Sequence, residues 1–160
     1  MGSNDYLGVL RVLQEGGVAF VLVGGLAAAM NGAPIDTLDV DVVPARDEEN
    51  LEKLLGVLSS MDAIYRIQPT RRLRPEASHL RSAGHQNLTT KFGPLDVLGT
   101  IGRGLTYEDL LPHTIEMDIG DGIRVRVLDL QTIIAIKEEL ATEKDLAALP
   151  LLRRTLREKS

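Results

Sequence analysis

Short apolar runs alternate with amphipathic stretches along the chain, and the alternation predicts most of its elements. Leu7, Leu10 and Leu13 recur at helical spacing behind Asn4 or Asp5 as a cap, which predicts a helix over residues 5–15 closed by Gly16-Gly17. Residues 18–23 are β-branched and aromatic and too few for a helix, so they read as a buried strand. That run stops at Gly24-Gly25. Residues 26–31 are Ala-rich and suit a short helix ended by Gly32, and residues 37–43 predict a second strand whose pairing Pro44 stops.

Further on, Asp47, Glu48 and Glu49 suit the positive end of a helix over residues 46–60, with Leu51, Leu54, Leu55 and Leu58 as its apolar stripe. Residues 63–67 and 88–92 predict weak strands around a polar, Arg- and Pro-rich stretch, 68–84, read as loop or edge structure. Gly93-Pro94 marks a turn before the strand Leu95-Asp96-Val97-Leu98. A short helix capped by Thr106, a hairpin of residues 114–119 and 123–128, and two helices over 129–140 and 143–157 follow, the last with Leu146, Leu149 and Leu152 facing inward. The mixture predicts an α+β fold, a twisted mixed β-sheet with helices packed on it. No repeat or linker divides the chain, so residues 1–160 are expected to form one domain, with the C-terminal helices 129–158 on its core.

Composition narrows the classes. At 160 residues, 44% hydrophobic and 26% charged, the chain has ordinary globular proportions. A net charge of −5 argues against a general nucleic-acid binder, and three Tyr, two Phe and no Trp leave few base-stacking platforms. With no cysteine, disulfide, thiol and cysteine–zinc chemistry are excluded. No apolar run approaches a membrane span and the first residues carry no basic segment, so a cytoplasmic protein without a membrane role is expected.

Three carboxylates and two glycines carry the candidate chemistry. Asp39 and Asp41 are two apart in a predicted strand, so their side chains leave the same face. Like charges so placed call for a cation between them, and a hard divalent ion such as Mg²⁺ or Mn²⁺ suits paired carboxylate oxygens. Taken alone, an acid-x-acid pair also fits a solvated strand face. Gly24 and Gly25 sit between a strand and a helix, where backbone amides approach phosphate closely, or where a tight turn needs positive φ. Asp96, in an apolar strand, either lies exposed on an edge or completes a cluster able to hold two ions about 4 Å apart for in-line phosphoryl displacement.

The order apolar strand, Gly-Gly, thirteen residues, Asp-x-Asp, then a distant strand Asp resembles the DNA polymerase β-like nucleotidyltransferase superfamily in its small bacterial form. The stretch from Ile133 to Lys137, followed by Thr142-Glu143-Lys144-Asp145-Leu146, is similar to abortive-infection type nucleotidyltransferase toxins and their uncharacterised relatives. The resemblance implies a nucleotidyltransferase fold and transfer of NMP from an NTP such as ATP to an acceptor hydroxyl. By the same resemblance Asp39, Asp41 and Asp96 are the catalytic and metal-holding residues. Gly24, Gly25 and Thr37 lie at the nucleotide, Lys137 and Lys144 reach triphosphate oxygens, and Asp145 orients one of those lysines. The acceptor is left open among RNA, protein and small molecules, as is an antitoxin-like partner. One position departs: the pattern Arg-x-Thr-x-Asp-x-Asp has Ile35 where arginine is expected, which also admits an inactive member that binds nucleotide or a partner.

Arg66, Arg71, Arg72, Arg74, Arg81 and Lys91 stand against the single acid Glu76 between residues 66 and 91. They suit an RNA, a triphosphate tail or an acidic partner, or else a solvated loop. His79, His85 and His113 lack metal-ligand spacing and read as surface or loop residues.

Overall fold

The apolar run beginning at Val18 supplies the middle of a sheet. The computed structural model describes residues 5–37 and 39–159. Its strands are β1 (Phe20–Val23), β2 (Val40–Pro44), β3 (Ile64–Tyr65), β4 (His85–Thr90), β5 (Gly93–Leu98), β6 (Thr114–Asp118) and β7 (Arg124–Leu128), and they form one sheet in the order β3-β4-β5-β2-β1-β7-β6. β1 is buried at every position, as a strand covered on both faces must be. β2 runs antiparallel to β1 and parallel to β5, while β7 runs parallel to β1, so the sheet is mixed and the fold α+β.

The helices are α1 (Tyr6–Glu15), α2 (Gly24–Met30), α3 (Glu48–Ser60), α4 (Ala77–Arg81), α5 (Tyr107–Leu110), α6 (Leu130–Leu140) and α7 (Glu143–Lys159). Side chains cap several of their starts, Asp5 and Thr106 as expected. Asp5 Oδ1 accepts from the Gly8 amide at 2.8 Å, Asp47 Oδ2 from Asn50 at 3.2 Å and Asp129 Oδ1 from Thr132 at 2.7 Å. Thr106 and Asp109 form a capping box at α5.

Two buried asparagines tie the elements around the site together. The Asn50 side chain bonds both the N–H and the C=O of Ala19 and the C=O of Ala45, clamping the outer ends of β1 and β2 to α3. Asn31 Nδ2 donates to Ala27 and Leu128 carbonyls while its Oδ1 accepts from Lys159 Nζ at 3.1 Å, which holds the end of α2 between β7 and α7. Each buried amide is thereby satisfied and costs no unpaired polar group.

Several boundaries differ from the sequence reading. The second strand begins at Val40, so Asp39 precedes it, and Leu38 lies outside the described residues. Pro44 is the last paired residue, opposite Phe20, a strand-end place where its missing donor is tolerated. The stretch 68–84 contains a 3₁₀ turn, Pro69–Arg71, and α4. Leu7 and Leu146 are 40% and 53% exposed, because the buried stripes run through Val9, Leu10 and Leu13 in α1 and through Leu149, Leu152 and Thr155 in α7. Among the described residues no helix is long and apolar enough to cross a membrane.

Candidate active site

Strand register brings the candidate carboxylates together. Val23 pairs with Asp41 across β1 and β2, Asp41 with Asp96 across β2 and β5, and Asp96 with Asn87 across β5 and β4. Residues paired across strands share a face, so these four side chains form one row. The Arg66 amide donates to the Asn87 carbonyl at 3.1 Å just past β3, and its guanidinium reaches along the row to Asp96 Oδ1. Asp39 stands half-buried one residue before β2 and acts on Asp41 through its charge.

Burial and crowding set the protonation of the row. Asp41 is pushed up to about 7, first by burial, then by its hydrogen bond with Asp96, then by the charges of Asp96 and Asp39, with Arg66 pulling the other way. The proton held on Asp41, together with Arg66 on Asp96, relieves the crowded charge. Among the described residues no three acidic or histidine side chains converge on one point. The donors present are all carboxylate oxygens, the set a hard divalent ion takes, and their repulsion is what such an ion would relieve. The residues fit a divalent metal in kind.

Gly24 explains why a glycine must follow β1. Its φ is +73°, and a Cβ there would overlap the Asp41 carboxylate, so the backbone at the start of α2 lies directly against the acid. A Cβ on Gly25 would stand 3.2 Å from Thr37 Oγ1, which places Thr37 over the same turn. Thr37 Oγ1 also meets the Asp39 carbonyl at 3.3 Å. A cleft of about 600 Å³ opens here, with Gly24, Gly25, Thr37, Asp39 and Asp41 on one side and Lys137 and Lys144 on the other.

The lysine wall is built by the tight turn between α6 and α7. Ala141 adopts a left-handed conformation (φ 49°) so that the chain reverses within two residues. Thr142 and Asp145 then bond reciprocally: the Asp145 amide donates to Thr142 Oγ1 at 3.1 Å, and Asp145 Oδ2 accepts from the Thr142 hydroxyl at 2.6 Å and from its amide at 3.2 Å. The other carboxylate oxygen receives Lys137 Nζ at 3.4 Å. The Thr142 hydroxyl bond holds the Asp145 carboxyl below the usual carboxylate range, with Lys137 assisting. Asp145 thus serves both as a helix cap and as the residue that aims Lys137.

All nine residues singled out in the sequence lie at this cleft or, for Asp96 and Asp145, one contact from it. Arg66 and Asn87 were missed as neighbours of Asp96, since nothing in the sequence gives the register that sets them beside it. The basic segment resolves into ion pairs: Arg72 and Arg74 to Asp62, Arg81 to Glu48 at 2.8 Å, and Arg66 to Asp96. Arg71 bonds Gln68, and Lys91 lies 5.5 Å from the Phe92 ring centre.

The fold that carries this site is the nucleotidyltransferase fold, which two solved structures share. A protein of Thermotoga maritima, TM1012, with an inferred nucleotidyltransferase assignment, superposes with a TM-score of 0.57 at 20% identity over 96% of this chain and 93% of its own. The lincosamide antibiotic adenylyltransferase LnuA, solved with lincomycin bound, gives 0.59 at 12% identity over 92% of this chain and 94% of its own. At such identities the likeness is one of fold. No family model and no curated protein matches the sequence.

Proposed function

We propose that the chain is a divalent-metal-dependent nucleotidyltransferase that moves NMP from an NTP to an acceptor hydroxyl. The observation that carries this reading is the register of Asp41 with Asp96 beside Asp39, across a cleft from Lys137 and Lys144. Asp39, Asp41 and Asp96 would hold Mg²⁺ or Mn²⁺, which when bound supplies charge neutralisation at the reacting phosphate. Amides of Gly24 and Gly25, with Thr37, line the path of the β- and γ-phosphates. Lys137, aimed by Asp145, and Lys144 offset charge on the departing pyrophosphate. Asp96 accepts the acceptor's proton, which requires it to leave Arg66 and to stand unprotonated.

The test is a labelled-NTP screen with Mg²⁺ across RNA, protein and small-molecule acceptors, beside calorimetry with ATP. Label transfer that is lost in Asp39→Ala and Asp41→Ala supports the proposal. Absence of metal-dependent NTP binding in the wild type sinks it.

A second reading, a nucleotide- or partner-binding protein without turnover, draws on Ile35 in the arginine position and on the Arg66–Asp96 pair, which engages the general base. Tight ATP binding without pyrophosphate release would favour it. A toxin modifying tRNA, with an antitoxin-like partner, has the basic segment as its physical support, and four of the six cations there have carboxylate partners within the chain. A cytoplasmic setting, where NTP and Mg²⁺ are at hand, belongs to the same proposal.

A further inference from the structure

Beside Asp41, toward β5 and α6, lies a second cavity of about 230 Å³. Its walls are aliphatic: Leu98, Ile101, Ile133, Ile136 and Leu140 among them. The two cavities meet at Gly24, Asp41 and Lys137, which line both. Leu98 shares a strand face with Asp96 two residues back, and His85, opposite Leu98 in the register, stands at the rim with Nε2 3.2 Å from the Thr100 carbonyl.

In-line displacement decides what this second cavity is for. The leaving pyrophosphate and the attacking oxygen stand on opposite sides of the reacting phosphorus. The charged cleft holds the lysines and the glycine amides, so it takes the triphosphate. At about 600 Å³ it also has room for the nucleoside, against Ala147, Ala148 and Leu151 of α7. The attacking hydroxyl then enters from the other side of Asp41, where the wall is aliphatic. Resting on the nucleotidyltransferase reading, we propose that this chamber is the acceptor site and that it takes a small alcohol with a compact apolar body.

A nucleic-acid acceptor would instead need phosphate-binding cations around the entrance. The lysine that lines the chamber, Lys137, is paired with Asp145, Arg66 is engaged by Asp96, and most of the remaining wall is Ile and Leu. The balanced step is R–OH plus NTP giving R–O–P linked to the nucleoside, plus pyrophosphate and a proton. The acceptor oxygen bonds to the α-phosphorus, the bond from that phosphorus to the pyrophosphate oxygen breaks, and the hydroxyl proton passes to Asp96.

The test is methyl NMR on full-length protein labelled at Ile and Leu, with benzyl alcohol as the acceptor probe and Mg²⁺·ATP as the donor. The alcohol is expected to shift methyls of Ile101, Ile133 and Ile136 saturably. Mg²⁺·ATP is expected to shift Ile35 and Leu151, and the two ligands should bind together. Ile136→Trp, which fills the chamber, and Leu140→Asp, which makes its half-exposed mouth polar, should each weaken the alcohol about tenfold or more and leave the ATP shifts in place. The proposal is overturned if the alcohol leaves the chamber methyls unmoved, if neither variant weakens it, or if Mg²⁺·ATP alone occupies the chamber and expels the alcohol. Alcohol binding with no ATP response at any methyl would overturn the transferase reading, and the acceptor role with it.

Discussion

Two clusters of like charge lie on this molecule, and they behave in opposite ways. The carboxylates Asp39, Asp41 and Asp96 are gathered on a partly buried sheet face, where burial and mutual repulsion leave Asp41 holding a proton near neutrality. The arginines after residue 66 look as crowded in sequence, yet Arg72, Arg74 and Arg81 point to separate exposed partners, Asp62 and Glu48. Crowding in sequence therefore says little about a ligand. Crowding that the fold relieves only by keeping a proton says much more, because there a bound ion can take the proton's place.

The sharpest way to break this comparison is at Asp41. Asp41→Asn is expected to lower nucleotidyl transfer on the order of a thousandfold, as loss of a residue central to phosphoryl charge handling does, read by label transfer from NTP. The same substitution should raise stability at high pH. Asp41 has a folded pKa near 7 against 3.8 in the unfolded chain. Between those values the folded state binds the extra proton, so metal-free stability falls as pH rises from about 4 to about 7 and levels off above. Asparagine carries no such penalty. Thermal melts of wild type and Asp41→Asn, compared at pH 5 and pH 8, should separate at the higher pH by on the order of 1–3 kcal/mol.

Gly24→Ala comes next. A positive φ and an overlap with the Asp41 carboxylate should together cost about 1–3 kcal/mol in denaturant unfolding, and should displace Asp41 enough to weaken metal-dependent ATP binding. Lys137→Ala should lower transfer on the order of a hundredfold, while Asp145→Asn should lower it less and also loosen the α7 cap by about 1 kcal/mol. The smallest effect belongs to the paired arginines. Asp62→Asn removes the charge facing Arg72 and Arg74 in an exposed setting, keeps a residue suited to the left-handed backbone there, and should leave the thermal midpoint nearly unchanged. A larger loss there would show the basic segment to be structural.

Much of the fold was legible because its signals are local. The buried β1, the Gly-Gly stop, the capped helices and the α6–α7 pair follow from period, cap and turn chemistry in Val18–Gly25, Asp47, Thr106 and Asp129. The boundary of β2 was less legible, since the alternation of residues 37–43 runs on past the strand, which starts only at Val40, while Thr37 lies against Gly25. The carboxylate row was legible in its members and not in its neighbours. Arg66 and Asn87 reach Asp96 through the register of β3, β4 and β5, a long-range property that composition does not carry. The aliphatic chamber was equally hidden, because Leu98, Ile101 and Ile136 read as ordinary core residues until β5 and α6 set them around Asp41.

The central claim is that the carboxylate row and the Gly-Gly turn form one metal–nucleotide site. Its most direct test is calorimetric titration of ATP into the protein at pH 8, with and without Mg²⁺, for the wild type and Asp41→Asn. The account predicts saturable binding in the wild type that requires Mg²⁺ and is lost in the variant. Equal affinity in the two proteins, or binding indifferent to Mg²⁺, would contradict it.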